Sequence, residues 1–201
     1  MSDDPTRVRE FFGARAADWD SRFPDDGPAY AAAVSELGLR PGDAVLDAGC
    51  GTGRALPPLR TAVGSSGTVL GADLTPEMLD RAVAAGRGGA AGGTLLLADV
   101  GRLPVRDGAL DAVFGAGLVS HLAEPLAGLR ELARVVRPGG RLALFHPIGR
   151  AALAARHGRQ ITPDDLRAEP RLRPLLAEAG WRLVSYVDED ARYLALAVRE
   201  G

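Results

Sequence analysis

The chain has 201 residues, 46% of them hydrophobic and 25% charged, which suits one domain with a real core and excludes wholesale disorder. Its 24 basic and 26 acidic residues give a net charge of −2, without the large positive excess of a dedicated nucleic-acid binder. Every one of the 24 Lys/Arg positions is arginine, which reads as the bias of a GC-rich genome, and a bacterial source is the expectation. That bias weakens any argument resting on arginine alone. The single cysteine, Cys50, excludes an internal disulfide and a cysteine-cluster metal site. No run approaches the roughly 18 apolar residues of a membrane span. The opening Met-Ser-Asp-Asp-Pro lacks an apolar signal region, so the expected setting is cytoplasmic.

In chain order, Arg7 to Trp19 and Ala29 to Leu37 read as two helices forming a cap, with the boundary to the remaining core at residues 40/41. From there short apolar runs alternate with helix-period stretches. Strands are predicted at 44–47, 68–73, 94–99, 109–114 and 141–146, and helices near 54–62, 76–86 and 122–137. The near-continuous apolar character of the strands is that of strands covered on both faces. Thr75-Pro76-Glu77 supplies a cap residue, a proline at the first position and an acid in the first turn. Gly86 to Gly93 reads as a flexible loop, and Arg137-Pro138-Gly139-Gly140 as a helix stop. Strand–helix alternation implies right-handed crossovers and a doubly wound parallel sheet. The runs at 181–188 and 192–199 are separated by too few residues for a crossover, so they predict an antiparallel C-terminal hairpin.

The chemistry centres on Val45-Leu46-Asp47-Ala48-Gly49-Cys50-Gly51-Thr52-Gly53, a strand entering a glycine loop and then a helix. Glycines there allow a sharp turn and close approach of a ligand to a helix N-terminus. A dinucleotide fingerprint needs a third glycine after a two-residue gap. Here that position is Arg54 or Leu56, and Asp47 would repel a pyrophosphate, so a nicotinamide oxidoreductase loses ground. A ligand with an ammonium group and no phosphate tolerates Asp47, although such a turn is also a purely structural device. Asp73 and Asp99 close the second and third strands. All three acids are expected in register at the carboxyl edge, where open α/β sheets bind ligands.

These segments resemble the class I S-adenosylmethionine-dependent methyltransferases over about residues 5–200. VLDAGCGTG (45–53), VLGADLTPEML (69–79), LLLADVGRLPV (95–105), DAVFGAGLVSHL (111–122) and LRELARVVRPGGRLALFHP (129–147) carry the resemblance. The tone is that of the ubiquinone/menaquinone C-methyltransferases and related small-molecule enzymes. The fold it implies is a Rossmann-like sheet of seven strands with the last one reversed. The cofactor it implies is S-adenosylmethionine, leaving S-adenosylhomocysteine. By position, Gly49, Cys50, Gly51 and Gly53 line the methionine portion, and Asp47 reaches its ammonium, mostly through water. Asp73 holds the ribose, Leu74 packs on adenine, Asp99 and Val100 meet the adenine edge, and Gly115 and Ala116 flank the sulfonium. Amino-methylating enzymes often carry a Pro-Pro motif after the fourth strand. This chain has Gly115-Ala116-Gly117-Leu118 there instead.

Methyl transfer asks mainly for positioning, with a base only where the acceptor must lose a proton. His121 and His146 follow the fourth and fifth strands and are the candidate catalytic residues. A structural role is the alternative for each. No metal ligand set is visible. Phe12, Trp19 and Tyr30 in the cap, with neighbouring Phe11, are candidates for the acceptor pocket, or else core anchors. Arg150, near Arg156, His157 and Arg159, is a candidate for an anionic substrate group, or else part of a solvated helix face. The expectation is a small-molecule methyltransferase, monomeric or homodimeric, acting on oxygen, carbon or nitrogen. RNA or protein acceptors, and a relative that binds the cofactor without transferring methyl, stay open because the visible motifs all concern binding.

Overall fold

In the computed structural model, which describes residues 5–22, 26–89 and 92–201, seven strands form one sheet in the order β3-β2-β1-β4-β5-β7-β6. They are β1 (Ala44–Ala48), β2 (Thr68–Asp73), β3 (Thr94–Leu97), β4 (Leu110–Ala116), β5 (Val136–His146), β6 (Trp181–Glu189) and β7 (Arg192–Arg199). Only β7 runs against the others, pairing antiparallel with both β5 and β6. The order reverses between β1 and β4, the switch point at which such sheets open a crevice along their carboxyl edge.

Each strand alternates its side chains between two apolar layers. Leu46, Val113, Leu142, Leu144, Tyr193 and Ala195 face a layer built with α6 (Pro125–Val135) and α8 (Glu169–Glu178). Val45, Val69, Phe114, Phe145 and Leu194 face the other layer, built with α3 (Gly27–Leu37) and α4 (Leu56–Val63). Trp181 is fully buried at the start of β6 and donates its indole N–H to the Leu129 carbonyl at 2.9 Å, fastening the hairpin to α6.

Several elements differ from the sequence expectation for physical reasons. The helix expected over Arg7 to Trp19 is broken into α1 (Pro5–Gly13), a 3-10 turn at Ala16–Asp18 and α2 (Trp19–Arg22). The chain bends at Gly13, where a Cβ would sit 3.1 Å from the Glu77 carboxylate on α5 (Pro76–Ala84). The two N-terminal helices then serve different ends. α3 buries Ala33, Val34 and Leu37 against the sheet, whereas α1 buries no residue and lies over the carboxyl edge against α5. Thr75 occupies the cap position of α5 without a side-chain cap bond, and its amide donates to Asp73 Oδ1 instead. Residues 137–140 end α6 as expected but are themselves the opening of β5. The loop expected at 86–93 is joined by a Gly89–Gly93 bridge, and its Ala90 and Ala91 lie outside the described residues, as do residues 1–4 of the opening segment.

Candidate functional site

At the end of β1 the chain turns through Gly49, Gly51 and Gly53 with φ of 67°, 53° and 78°, a left-handed path that side chains resist. The turn is pinned to β2 by the Cys50 amide donating to the Ala72 carbonyl at 2.9 Å. The Cys50 side chain turns inward, its sulfur against Gly71, and burial pushes its thiol well up; what Cys50 offers a ligand is backbone. Gly51 faces open space, since a Cβ there would meet nothing nearer than the Met78 sulfur at 4.0 Å. The Gly51 amide donates to Asp73 Oδ2 at 2.8 Å, so the loop and the second acid form one unit.

The three acids are not level. Asp47 pairs with Gly71, two residues before Asp73, and Asp73 pairs with Leu97, two residues before Asp99. Each step advances roughly 7 Å along the strand direction. The acids therefore form a staircase, as an elongated ligand laid across three strands would require, and the in-register arrangement is corrected. β3 also ends at Leu97, so Asp99 lies beyond the strand, exposed, with Oδ1 accepting from the Gly101 amide at 2.8 Å. Val100 is buried in the core, and Leu74 is half-buried just past Asp73. Asp47 is 2% exposed. Burial, reinforced by the neighbouring Asp73 charge, pushes its carboxyl up to about 8. Asp73 is raised too, chiefly by burial, against the lowering by the Thr75 and Gly51 amides.

Across the switch point, β4 ends at Gly115 and Ala116. A Cβ on Gly115 would strike Leu118 at 2.8 Å, so the turn after β4 packs directly on this backbone. His121 follows in a 3-10 turn, and His146 is the last residue of β5. His146 Nδ1 lies 2.8 Å from the Ile148 carbonyl, to which it donates when protonated, and 3.2 Å from the Ile148 amide, from which it accepts when bare, so the Ile148 backbone serves either tautomer. Burial holds its pKa down to about 4, so the ring is neutral at pH 7.

The four acceptor-pocket candidates do not converge. Phe12 stacks edge-on against both Trp19 (5.5 Å) and His121 (5.1 Å), which carries α1 across the carboxyl edge to the turn after β4. Tyr30 lies on the α3 side against Phe145 (5.1 Å) and Phe114, close enough for the Asp47 charge to help burial raise its pKa. Arg150, at the start of α7 (Arg150–Arg156), spends its charge inside the protein, with Nε on Asp188 at 2.9 Å and Nη1 3.8 Å from Asp165. That pairing compensates its charge within the protein.

Sequence reasoning missed the latch that holds the N-terminal segment down. Asp20 accepts from Thr52 Oγ1 (2.6 Å), Arg54 Nε (3.1 Å) and Arg87 Nη1 (2.6 Å), and Arg54 also donates to the Asp20 carbonyl. Burial opposes the Asp20 charge, but these hydrogen bonds outweigh it and hold the pKa below the usual range. The signal was Arg54 itself, the residue that breaks the dinucleotide fingerprint. A surface cleft lined by Arg60, Thr61, Gly64, Ser65 and Gly67 lies at the opposite, amino edge of the sheet and has no part in this site. Among the described residues, no group of three or more His, Cys, Asp or Glu is placed to hold a metal, and no helix is long and apolar enough to cross a membrane.

Comparison with known proteins agrees with this geometry. Residues 46–144 match the model of a methyltransferase domain family. The chain is 31% identical to the ubiquinone/menaquinone biosynthesis C-methyltransferase UbiE of Ectopseudomonas mendocina, covering 79% of this chain and 73% of that protein. It is 40% identical to an uncharacterized 37.1 kDa protein of a Streptomyces fradiae transposon over 57% of this chain, and spans only 33% of that protein's length. Among solved structures, an S-adenosylmethionine-dependent methyltransferase of Aquifex aeolicus superposes with a TM-score of 0.71 at 27% identity, covering 98% of each chain.

Proposed function

The chain belongs to the S-adenosylmethionine-dependent methyltransferases, and on that premise we propose that it transfers a methyl group to oxygen, carbon or nitrogen of a small-molecule acceptor. The observation that carries this reading is the unit of Gly51 and Asp73 facing Gly115 and His146 across the switch point, with only short segments between β4 and α6 and between β5 and α8. Only residues 147–168 separate β5 from α8, so no large substrate domain is inserted between them. Similarity to small-molecule enzymes such as the quinone C-methyltransferase supports the same acceptor class.

The residues present fit the cofactor. The loop offers a bare backbone cradle at Gly51, and the acid staircase matches an elongated ligand with an ammonium at one end and hydroxyls in the middle. We assign Asp47 to the ammonium, Gly49, Gly51 and Gly53 to the methionine portion, and Asp73 to the ribose. Leu74, Asp99 and Val100 take the adenine, and Gly115 and Ala116 the backbone beside the reacting centre. When bound, the cofactor supplies a methyl on a positively charged sulfur, an electrophile that needs no further activation. The protein's contribution is orientation and exclusion of water. The Phe12–Trp19–His121 cluster roofs the edge, and its aromatic faces suit a nearby cation. His146 is the proposed base: with Nδ1–H donating to the Ile148 carbonyl, Nε2 of its neutral ring would accept a proton from a hydroxyl or amine. His121, beneath Phe12, is the second candidate.

The proposal includes a single domain and a bacterial, cytoplasmic setting, in keeping with the arginine-only composition and lone cysteine. The test is incubation with S-adenosylmethionine radiolabelled in the methyl group, supplied in parallel with small-metabolite extract, RNA and protein. Label entering the small-molecule fraction is the expected result. Label confined to RNA or protein refutes the acceptor class.

A further inference from the structure

Beyond Gly115 and Gly117, between the carboxyl ends of β4 and β5 and the start of β7, lies a narrow crevice with room for about one water-sized group. Leu118, Val119, Leu144, Phe145, Tyr193 and Arg167 complete its walls. Tyr193 is 2% exposed, and its hydroxyl has no hydrogen-bond partner among the described residues. A buried hydroxyl left unpaired is costly, so a fold that keeps one has a use for it or pays for it elsewhere. The ring is fixed. It stacks edge-on to Tyr186 at 5.7 Å, and Tyr193 sits opposite His146 in the β5–β7 pairing.

Arg167 is the second donor. Its Nε and one hydrogen of Nη2 are taken by the two oxygens of Asp165, at 3.1 and 3.0 Å, leaving two N–H groups on Nη1 and one on Nη2 as donors. The surrounding charges balance, Arg150 and Arg167 against Asp165 and Asp188. The Gly117 amide is already donating to the Phe145 carbonyl at 2.8 Å. The polar side chains lining the crevice are therefore two donors, a phenol and a guanidinium, set in otherwise apolar walls. That combination recognises an oxygen that accepts and carries negative charge.

We propose that this crevice seats a carboxylate oxygen of the acceptor, held by the Tyr193 hydroxyl and Arg167, so that the substrates are small carboxylic acids anchored there. The assignment rests on the methyltransferase reading above and names its acceptor class. The carboxylate is the anchor, and the atom that takes the methyl is elsewhere on the molecule, towards Gly115 and Ala116. Arg167 and Tyr193 come from the segment after α7 and from β7, so specificity is written in the last quarter of the chain.

The test uses the full chain with ¹³C-labelled tyrosine rings, saturated with S-adenosylhomocysteine, and titrated with benzoate or with neutral benzamide of the same shape. The chain has three tyrosines, so Tyr193→Phe assigns the signal by its loss. Benzoate is expected to shift the Tyr193 signal and leave that of Tyr30, on the other face of the sheet, in place. Benzamide should bind at least about tenfold more weakly, and Tyr193→Phe should weaken benzoate by a similar factor. An assigned Tyr193 signal unmoved by tens of millimolar benzoate overturns the proposal, and so does equal binding of benzamide, which is read on the wild type whether or not the variant folds. Binding of S-adenosylhomocysteine with a silent Tyr193 removes the crevice assignment alone. Failure of S-adenosylhomocysteine to bind the folded protein removes the methyltransferase reading and this inference with it.

Discussion

Cofactor binding should be coupled to loss of a proton from Asp47. The carboxyl is 2% exposed and pushed up to about 8 by burial and by Asp73, so near neutral pH the free protein holds a proton there. An ammonium placed beside it favours the ionised form, and the proton leaves on binding. If only the ionised form binds, the competent fraction rises from about one in a hundred at pH 6 to about half at pH 8, a gain of roughly fiftyfold in affinity, or about 2.3 kcal/mol. The assay is calorimetric titration with S-adenosylhomocysteine across that range, in buffers of different ionisation enthalpy, which counts protons released. Near pH 7 close to one proton should appear per ligand, and Asp47→Asn should flatten the profile. An affinity independent of pH in the wild type, or the same slope in Asp47→Asn, would refute the assignment of Asp47 to the ammonium.

Other consequences are as direct. Asp73→Ala removes the acceptor of both the Gly51 and Thr75 amides, and S-adenosylhomocysteine affinity should fall at least about tenfold in a folded variant. Gly51→Ala meets no close neighbour, so it should cost only about 1 kcal/mol of stability through its positive φ yet greatly weaken cofactor binding; loss of the fold instead would contradict the open cradle. For His146, whose folded pKa is lowered to about 4, the unfolded chain takes up the proton first as pH falls. Its contribution is present above about pH 6.5 and lost towards pH 4, by up to roughly 3 kcal/mol. Asp47 acts oppositely, its stabilisation being lost as pH rises from about 4 to 8. Denaturant titrations should therefore compare wild type with His146→Asn, whose difference should shrink or reverse on acidification. A constant difference would exclude the buried neutral ring.

What the sequence made legible was whatever depends on a local pattern. The five parallel strands are short apolar runs, and the glycine loop is contiguous, so Val45 to Gly53 reads directly as strand, turn and ligand cradle. The reversed β7 was legible because the gap after β6 is too short for a crossover. What depends on pairings between distant segments was not. The step between Asp47, Asp73 and Asp99 is set by strand register, which no single segment records. Arg150 read as a free cation because its partners, Asp165 and Asp188, lie in a loop and on β6. The bend at Gly13 depends on how closely α1 approaches Glu77. Tyr193 looked like one more apolar position in a strand, and only the absence of a partner for its hydroxyl sets it apart.

The account stands or falls on what occupies the crevice beside Gly51 and Asp73. Calorimetric titration of the purified protein with S-adenosylmethionine, S-adenosylhomocysteine and NAD in parallel tests this most directly. Micromolar binding of both adenosyl ligands with none of NAD is the predicted result. Failure of both adenosyl ligands to bind a protein shown to be folded, or binding of NAD in their place, would contradict it.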